Sequence, residues 1–158
     1  MQHIKLIAAN TSHLAILLPM VRDYHAFEKI VLNDEQRANA LSPLLNVNSE
    51  HGRIWLIKNN DAAIGYIALC FGYSIEFCGR DAFIDELFVI SSERGKGVGR
   101  YVLEQIKHYA ADLNIAALHL EVAHHNQAAK SLYSGLGFVP REKMHLMSYT
   151  VPSTRDIQ

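Results

Sequence analysis

Arg94-Gly95-Lys96-Gly97-Val98-Gly99 is the stretch of this 158-residue chain that says most about its architecture. It lies between residues 83–90, an apolar segment typical of a buried strand, and residues 98–113, where the apolar side chains have helical spacing. Glycines leave consecutive backbone N–H groups uncovered, and the following helix adds the positive end of its dipole. A glycine-rich turn between a strand and a helix therefore predicts a phosphate-binding loop.

The spacing within the loop separates three kinds of phosphate-binding motif. A P-loop needs Ser or Thr directly after its lysine, whereas Lys96 is followed by another glycine. The dinucleotide fingerprint fails because its third glycine position holds Arg100, and no early βαβ unit surrounds it. The pattern that fits is Arg/Gln-x-x-Gly-x-Gly/Ala, which is met by Arg94, Gly97 and Gly99.

This pattern resembles the pyrophosphate-binding signature of the GNAT acetyltransferase superfamily. Residues 83–89 resemble the central strand of that family, and Leu118-His119-Leu120-Glu121-Val122 is similar to its next strand. Asn126, Leu132-Tyr133 and Leu136-Gly137-Phe138 match the asparagine, the helix and the closing turn of its second signature. We identify the chain as a member of this superfamily, similar to its small-molecule and polyamine-type members.

The order of the segments and the resemblance imply an α/β fold. Strands at the front, followed by alternating strands and helices, predict the GNAT fold, with a mixed central sheet of about six to seven strands and helices on both faces. One domain is expected over residues 1–151, with a tail over residues 152–158. The expected strands are at residues 3–8, 54–58, 62–71, 83–90, 118–122 and twice within 138–151; helices are expected at 10–24, 34–45, 98–113 and after Asn126, and a turn at 79–81.

The composition favours a compact enzyme and disfavours several other classes. Hydrophobic residues make up 49% of the chain, enough for a core, and the net charge of −1 gives no basic field for nucleic acid or an anionic membrane. Cys70 and Cys78 have no ligand-like spacing and indicate free thiols of a reducing compartment. Without a signal peptide or a long apolar run, a cytoplasmic enzyme is expected. A homodimer stays open.

A metal centre is not expected from the sequence. His119 and Glu121 share one strand face, but no H-E-x-x-H motif or Cys/His set accompanies them. His124 and His125, directly before Asn126, are interpreted as loop residues rather than as metal ligands. The chemistry of the site must therefore come from other side chains.

Tyr133 is the candidate general acid. Transfer of an acetyl group from a thioester to an amine needs a proton donor for the leaving thiolate, and a phenol with a pKa near 10 stays protonated at neutral pH. The helical spacing of Ala129, Leu132, Tyr133 and Leu136 also fits plain core packing. The resemblance favours the acid, because the matching tyrosine of the family faces the thioester sulfur.

Asp85 and Glu86 are the candidate bases. Neighbouring residues of a strand point to opposite faces, and a carboxylate within an apolar strand is costly unless it is paired or borders a cleft. The resemblance to polyamine acetyltransferases implies that Asp85 acts through water, while other relatives with acidic groups at neighbouring positions keep Glu86 in play. A salt bridge to Arg80 or Arg141 is the structural alternative.

The resemblance implies acetyl-CoA as the cofactor. Asn126 would bind the cofactor arm and also fits the N-cap of a helix. The residues that would contact the cofactor are Leu87, Phe88, Val89, Arg94, Gly95, Lys96, Gly97, Val98, Gly99, Arg100, Asn126 and Tyr133.

The acceptor site of the family is walled by the first helices and by the loop between the third and fourth strands. Here these segments supply aromatic and acidic residues, namely Tyr24, Phe27, Glu28, Tyr73 and Glu76. With Asp85 and Glu86 they predict a small cationic amine that attacks the thioester directly in a ternary complex; the alternative is that they are ordinary surface residues. An enzyme acting on protein N-termini or lysines, and a non-catalytic acyl-CoA-binding regulator, are the competing functions.

Overall fold

The computed structural model describes residues 3–152, which form one five-stranded sheet and four α-helices. The strands lie in the order β1 to β5; the first four pair antiparallel and β4 pairs parallel with β5, so the sheet is mixed. The strands are β1 (Ile4–Ala8), β2 (Gly52–Asn59), β3 (Ala62–Ser74), β4 (Gly79–Val89) and β5 (Ile115–His119). The helices are α1 (Leu14–Glu28), α2 (Asp34–Leu41), α3 (Val98–Asp112) and α4 (Gln127–Ser134).

Helices cover both faces of the sheet, as the sequence predicts. On one face α3 buries Val102 and Ile106 against Ile67 and Leu69 of β3. On the other face α1 and α2 close a second core around Leu17, where the apolar spacing of each helix points inward. Each such fully buried aliphatic side chain stabilises the fold by about 1.5–3 kcal/mol.

The start and end of α2 follow from its local sequence. The side chain of Asn33 accepts a hydrogen bond from Gln36 N at 2.8 Å, and Gln36 returns one to Asn33 N at 2.8 Å, which makes a capping box. The helix ends at Leu41 rather than at residue 45, because Pro43 has no N–H to continue the ladder, and a short 3₁₀ turn follows over Ser42–Leu44.

Two sequence predictions about strands are wrong. Within residues 138–152 the structure has no strand, so the sheet has five strands rather than six to seven. Pro140 cannot donate to a ladder, and Met144 N bonds back to Arg141 O at 2.9 Å in a local turn. Residues 79–81 begin β4 instead of forming a turn; the hairpin turns at residues 75–78, where Cys78 takes a positive φ of 56°. The predicted tail from residue 153 onward lies outside the described residues.

A β-bulge interrupts β4 where the two acidic residues lie. The register with β3 shifts from Leu69 opposite Ile84 to Ala68 opposite Glu86, so that Asp85 has no partner residue. Ile84 belongs to the core beneath α3, whereas the next ordered pair places Glu86 on the side of α1. The bulge therefore reverses which face the following residues of β4 present.

The pairing of β5 with β4 ends just before the bulge. The last paired residues are Phe83 and His119, and β5 ends there instead of at residue 122. From Ile84 to Val89, no strand in the described part of the chain pairs with β4 on the β5 side. This gap leaves the edge of the central strand open beside the bulge. No helix among the described residues is both long enough and apolar enough to cross a bilayer.

Candidate active site

The glycine-rich loop has a backbone that only glycine adopts without strain. Gly95 and Gly97 have φ values of 74° and 82°, in the left-handed region, and a Cβ on Gly95 would meet no atom within 4 Å. Helix α3 begins directly after Gly97, and no side chain of residues 3–152 caps its N-terminus. The amides of the first turn therefore have no side-chain acceptor within residues 3–152, and the helix dipole favours an anion there.

The three cations of this loop have different partners. Arg94 Nε donates to Val89 O at 2.6 Å, and its guanidinium lies 5.5 Å from the centre of the Phe88 ring, which ties the loop to the end of β4. Lys96 Nζ is 3.1 Å from Glu93 Oε1, and Arg100 extends towards the C-terminal end of α4. Phe88 is buried in the core beneath α1, so only its backbone faces the open edge of β4.

Helix α4 carries the candidate acid. Tyr133 is half-buried with its ring edge-on to Phe138 at 6.0 Å, and burial raises the pKa of its phenol above the ordinary value. No group in residues 3–152 forms a hydrogen bond with its hydroxyl. Asn126 Oδ1 accepts from Ala129 N at 3.1 Å, so the predicted N-cap of α4 is present.

The two acidic residues at the bulge have different surroundings. Asp85 is exposed, whereas the Glu86 side chain is only 14% exposed. Glu86 Oε1 lies 2.8 Å from His25 Nε2, and Glu86 Oε2 accepts from the Tyr66 hydroxyl at 2.6 Å. Burial and the Glu86 carboxylate raise the pKa of Tyr66, so that this phenol remains a hydrogen-bond donor.

The structural alternative for this acidic pair, a salt bridge to Arg80 or Arg141, does not occur in the structure. Arg80 lies 5.1 Å from the centre of the Phe71 ring, and Arg141 binds Glu76 at 3.0 Å. Neither Asp85 nor Glu86 has a lysine or arginine partner among the described residues. Two carboxylates therefore stand beside the open edge of β4, and no lysine or arginine side chain of residues 3–152 pairs with them.

Tyr24 lies among these groups on α1. Its pKa is raised to about 12, first by burial, then by the negative charges of Glu86, Glu28 and Asp85, and also by Tyr133. The pKa of Tyr24 thus responds to the candidate acid, to both candidate bases and to one predicted wall residue, Glu28. The same two carboxylates at the bulge, after burial, raise the pKa of the half-buried Cys70 to about 11.

The other residues predicted to form the wall of the acceptor site do not lie together at the bulge of β4. Phe27 is 74% exposed and Tyr73 is 77% exposed. Tyr73 pairs with Arg80 near the hairpin, about 17 Å along β3 from Ala68, the partner of Glu86, at the usual rise per residue. Glu76 is paired with Arg141. In this arrangement the hairpin residues lie away from the bulge.

Two residues of the site were missed by sequence reasoning. His25 of α1 and Arg37 of α2 are only 6% and 8% exposed, and Arg37 Nε donates to His25 Nδ1 at 3.3 Å. Their signal was present in the sequence: His25 follows Val21 by one helical turn, and Arg37 precedes Leu41 by one turn, so both occupy core-facing positions. A charged residue at such a position needs a partner.

A metal centre would need several His, Cys, Asp or Glu side chains close together among residues 3–152. None of these residues form a group of three or more His, Cys, Asp or Glu side chains arranged to hold a metal ion. His119 and Asp81 form an isolated pair, 3.3 Å apart, near Phe77. Cys70 and Cys78 are free thiols.

The mixed sheet, with an uncapped glycine-rich loop at the end of its central strand, is the fold of an α/β protein that can bind an anionic group there. The family model described as "Acetyltransferase (GNAT) family" matches residues 18–138. The chain therefore belongs to the GNAT acetyltransferase family, and it is an acetyltransferase.

Individual relatives agree with this assignment. The chain is 32% identical to the uncharacterized N-acetyltransferase YhfO of Bacillus subtilis (strain 168), over 82% of this chain and 86% of that protein. It is 31% identical to the thialysine N-epsilon-acetyltransferase of Bos taurus, over 47% of this chain and 43% of that protein. An integron cassette protein from the mobile metagenome of Cole Harbour Salt Marsh superposes with a TM-score of 0.80 at 28% identity, covering 96% of this chain and 92% of that one.

Proposed function

We propose that this acetyltransferase moves an acetyl group from acetyl-CoA to a primary amine of a small cationic molecule. The observation that carries the proposal is the pair of carboxylates at the bulge of β4, Asp85 and Glu86, which have no lysine or arginine partner among residues 3–152. Uncompensated negative charge next to half-buried aromatic groups favours a cationic ligand over a neutral or anionic one.

The glycine-rich loop fits the pyrophosphate of coenzyme A. Free amides at the start of α3, with Arg94, Lys96 and Arg100 around them, supply hydrogen bonds and positive charge to such a group. The backbone of residues 87–89 at the open edge of β4, and Asn126 at the start of α4, would hold the pantetheine arm. When bound, acetyl-CoA supplies an acetyl group activated as a thioester.

Three side chains of the protein have separate roles in the proposed reaction. Asp85, exposed at the bulge, holds the ammonium group of the acceptor. Glu86 accepts the proton that the amine loses, through a water molecule, before the amine attacks the carbonyl carbon directly. Tyr133, whose raised pKa keeps the phenol protonated, donates a proton to the sulfur as it leaves.

Supporting evidence for an amine acceptor comes from the bovine thialysine N-epsilon-acetyltransferase, which acetylates an amino group on a small molecule. The alternative acceptors are protein N-termini and lysine side chains, and the alternative role is a non-catalytic acyl-CoA-binding regulator. The acidic pair and Tyr133 favour catalysis on a small cation over both. The proposal also includes a single domain over residues 1–151.

An amine panel tests this function directly. Initial rates of thiol release from acetyl-CoA are measured with diamines, with amino alcohols of the same length, and with peptides that carry a free N-terminus or a lysine. We expect the diamines to have the highest kcat/KM, because the second ammonium group of each one meets the acidic pair. Faster acetylation of the matched amino alcohols or of the peptides would contradict the cationic-acceptor proposal.

Replacing Gly97 by Ala should weaken coenzyme A binding at least about tenfold, or about 1.4 kcal/mol. The φ of 82° strains any other residue, and the added methyl group distorts the amides that face the pyrophosphate. Calorimetric titration with coenzyme A measures the change. Gly137→Ala is the matched control, because Gly137 has a φ of 90° and open space around it but lies outside the loop. Equal affinities of the two folded variants would contradict the loop assignment.

A further inference from the structure

We propose that His25 and Arg37 are positioning residues that hold Glu86 as an oriented, ionised proton acceptor. They form the middle of a continuous chain of hydrogen bonds that runs from the surface of α2 to the bulge of β4. Glu86 is the end of this hydrogen-bond chain that faces the acceptor. The inference rests on the proposed function, since it concerns how the same site handles the amine proton.

This chain of hydrogen bonds begins at an exposed carboxylate. Asp34 accepts from Arg37 Nη1 at 3.0 Å and from Arg22 Nη2 at 2.6 Å. Arg37 Nε then donates to His25 Nδ1 at 3.3 Å, and His25 Nε2 lies 2.8 Å from Glu86 Oε1. Arg37 therefore shares the single negative charge of Asp34 with Arg22, outside the acetyl-transfer site.

The contact with Arg37 determines which tautomer of His25 is present. A guanidinium N–H only donates, so His25 Nδ1 must accept and cannot carry a proton. The single ring proton then lies on Nε2, where it points at Glu86 Oε1. A second proton on the ring would place two N–H groups against each other at 3.3 Å. His25 thus serves Glu86 as a neutral donor and not as a counterion.

Because His25 is neutral in this arrangement, the negative charge of Glu86 remains available to attract a cationic acceptor. The two oxygens of Glu86 each accept one hydrogen bond, from His25 and from the Tyr66 hydroxyl, and this fixes the plane of the carboxylate. Each oxygen keeps a second lone pair for a water molecule or an ammonium group. An imidazolium in the place of the neutral ring would pair with Glu86 and reduce its attraction for a cation.

The same chain does not conduct protons. It passes through the guanidinium of Arg37, which does not give up a proton in proteins. A proton that reaches Glu86 must therefore leave from the exposed part of that side chain, towards solvent. This geometry excludes a relay through α1 and α2 and leaves orientation and charge control as the role of His25 and Arg37.

The groups that face His25 come from several elements. Arg37 approaches from α2 and Glu86 from β4, while the ring of Tyr24, on the same helix, lies 6.1 Å away. Behind them stand Asp34 next to Arg37 and Tyr66 next to Glu86. Removing Arg37 therefore leaves a histidine that faces one carboxylate and no cation.

Kinetics of five variants test the proposal. His25→Leu removes the donor and should lower kcat/KM for the best amine about tenfold, with the KM for acetyl-CoA unchanged. His25→Gln keeps a non-titrating N–H donor and should recover most of the loss. Arg22→Gln, which breaks an exposed contact to Asp34 without touching His25, is the control and should match the wild type.

Arg37→Met gives the sharpest readout, because it frees Nδ1. With Nδ1 free, the imidazole can take up a second proton as the pH falls, and the resulting cation would pair with Glu86. The ratio of variant to wild-type kcat/KM should therefore fall towards pH 6 and recover towards pH 8. The double variant His25→Gln/Arg37→Met cannot titrate at this position and should show a flat ratio. A flat ratio for Arg37→Met itself would overturn the proposal.

Nitrogen-15 NMR of the imidazole separates this inference from the proposed function. At pH 7, His25 of the wild-type protein should carry its single proton on Nε2, whether or not any amine is a substrate. An Nδ1–H tautomer or a doubly protonated ring would overturn the inference. If no amine is acetylated by the wild type, the proposed function fails, and the NMR result still decides the hydrogen-bonded arrangement. A lower melting temperature of His25→Leu with wild-type kinetics in the folded fraction would mean a merely structural role and overturn it as well.

Discussion

Replacing Tyr133 by Phe should lower the turnover number about 100-fold while the fold and the affinity for coenzyme A stay close to those of the wild type. Only the hydroxyl group is lost, and no group in residues 3–152 depends on it for a hydrogen bond. The packing of the ring against Phe138 remains. Because burial raises the phenol pKa, the wild-type side chain stays protonated at neutral and mildly alkaline pH and can serve as the acid throughout that range.

Steady-state thiol release at saturating acetyl-CoA measures this change. Tyr109→Phe is the matched control: this half-buried tyrosine of α3 stacks on Trp55 at 5.6 Å, outside the candidate site, and its substitution should leave turnover unchanged. A Tyr133→Phe variant with wild-type turnover would assign Tyr133 to core packing, the alternative that its helical spacing also allows. A loss that appears only in the KM for acetyl-CoA would assign it to binding.

Local patterns in the sequence were enough to predict the loop and several helix ends. The glycine spacing after a buried strand and the caps Asn33 and Asn126 involve residues close together in the chain, where backbone sterics and side-chain hydrogen bonds act alone. The acidic pair could also be identified from the sequence alone, because carboxylates are rare in an apolar strand.

Features that depend on distant parts of the chain could not be predicted. The bulge at Asp85 is a register shift against β3, and an alternating pattern does not reveal an extra residue. Glu86 pairs with His25, which is 61 positions away in the chain. The sequence analysis considered Arg80 and Arg141 as partners because a contact over such a distance leaves no local pattern. The apolar residues of 138–151 are compatible with strands, but a strand forms only where an edge accepts its hydrogen bonds, and β5 is five residues long.

The acidic pair should separate into two roles when each carboxylate is replaced by its amide. Glu86→Gln keeps the shape of the side chain but removes the charge and the capacity to accept a proton. We expect turnover to fall about 100-fold and the acidic limb of the pH–rate profile to flatten, because that limb reports protonation of the base. Asp85→Asn should mainly raise the KM for a cationic amine, by about tenfold, since the exposed side chain holds the ammonium group.

The surroundings of the two residues explain why Glu86 is assigned to proton transfer, although the resemblance to polyamine acetyltransferases favours Asp85. Glu86 is oriented by two donors and is largely shielded from solvent, whereas Asp85 is exposed and has no ordered partner within residues 3–152. A fixed carboxylate can hold a water molecule in one position between itself and the amine. An exposed one attracts cations without fixing their orientation.

Thermal unfolding of both variants provides the control for stability. The amide in Glu86→Gln can accept from one of its two donors but not from both with the same atoms, so we expect a modest decrease in melting temperature that kinetics of the folded fraction will separate from catalysis. Asp85→Asn should melt like the wild type. If the two roles are exchanged, with Asp85→Asn losing turnover and Glu86→Gln only affinity, the assignment reverses while the cationic acceptor stands. If both variants acetylate the best amine as fast as the wild type does, the acidic pair does not serve the acceptor, and a neutral amine or a peptide becomes the substrate to test.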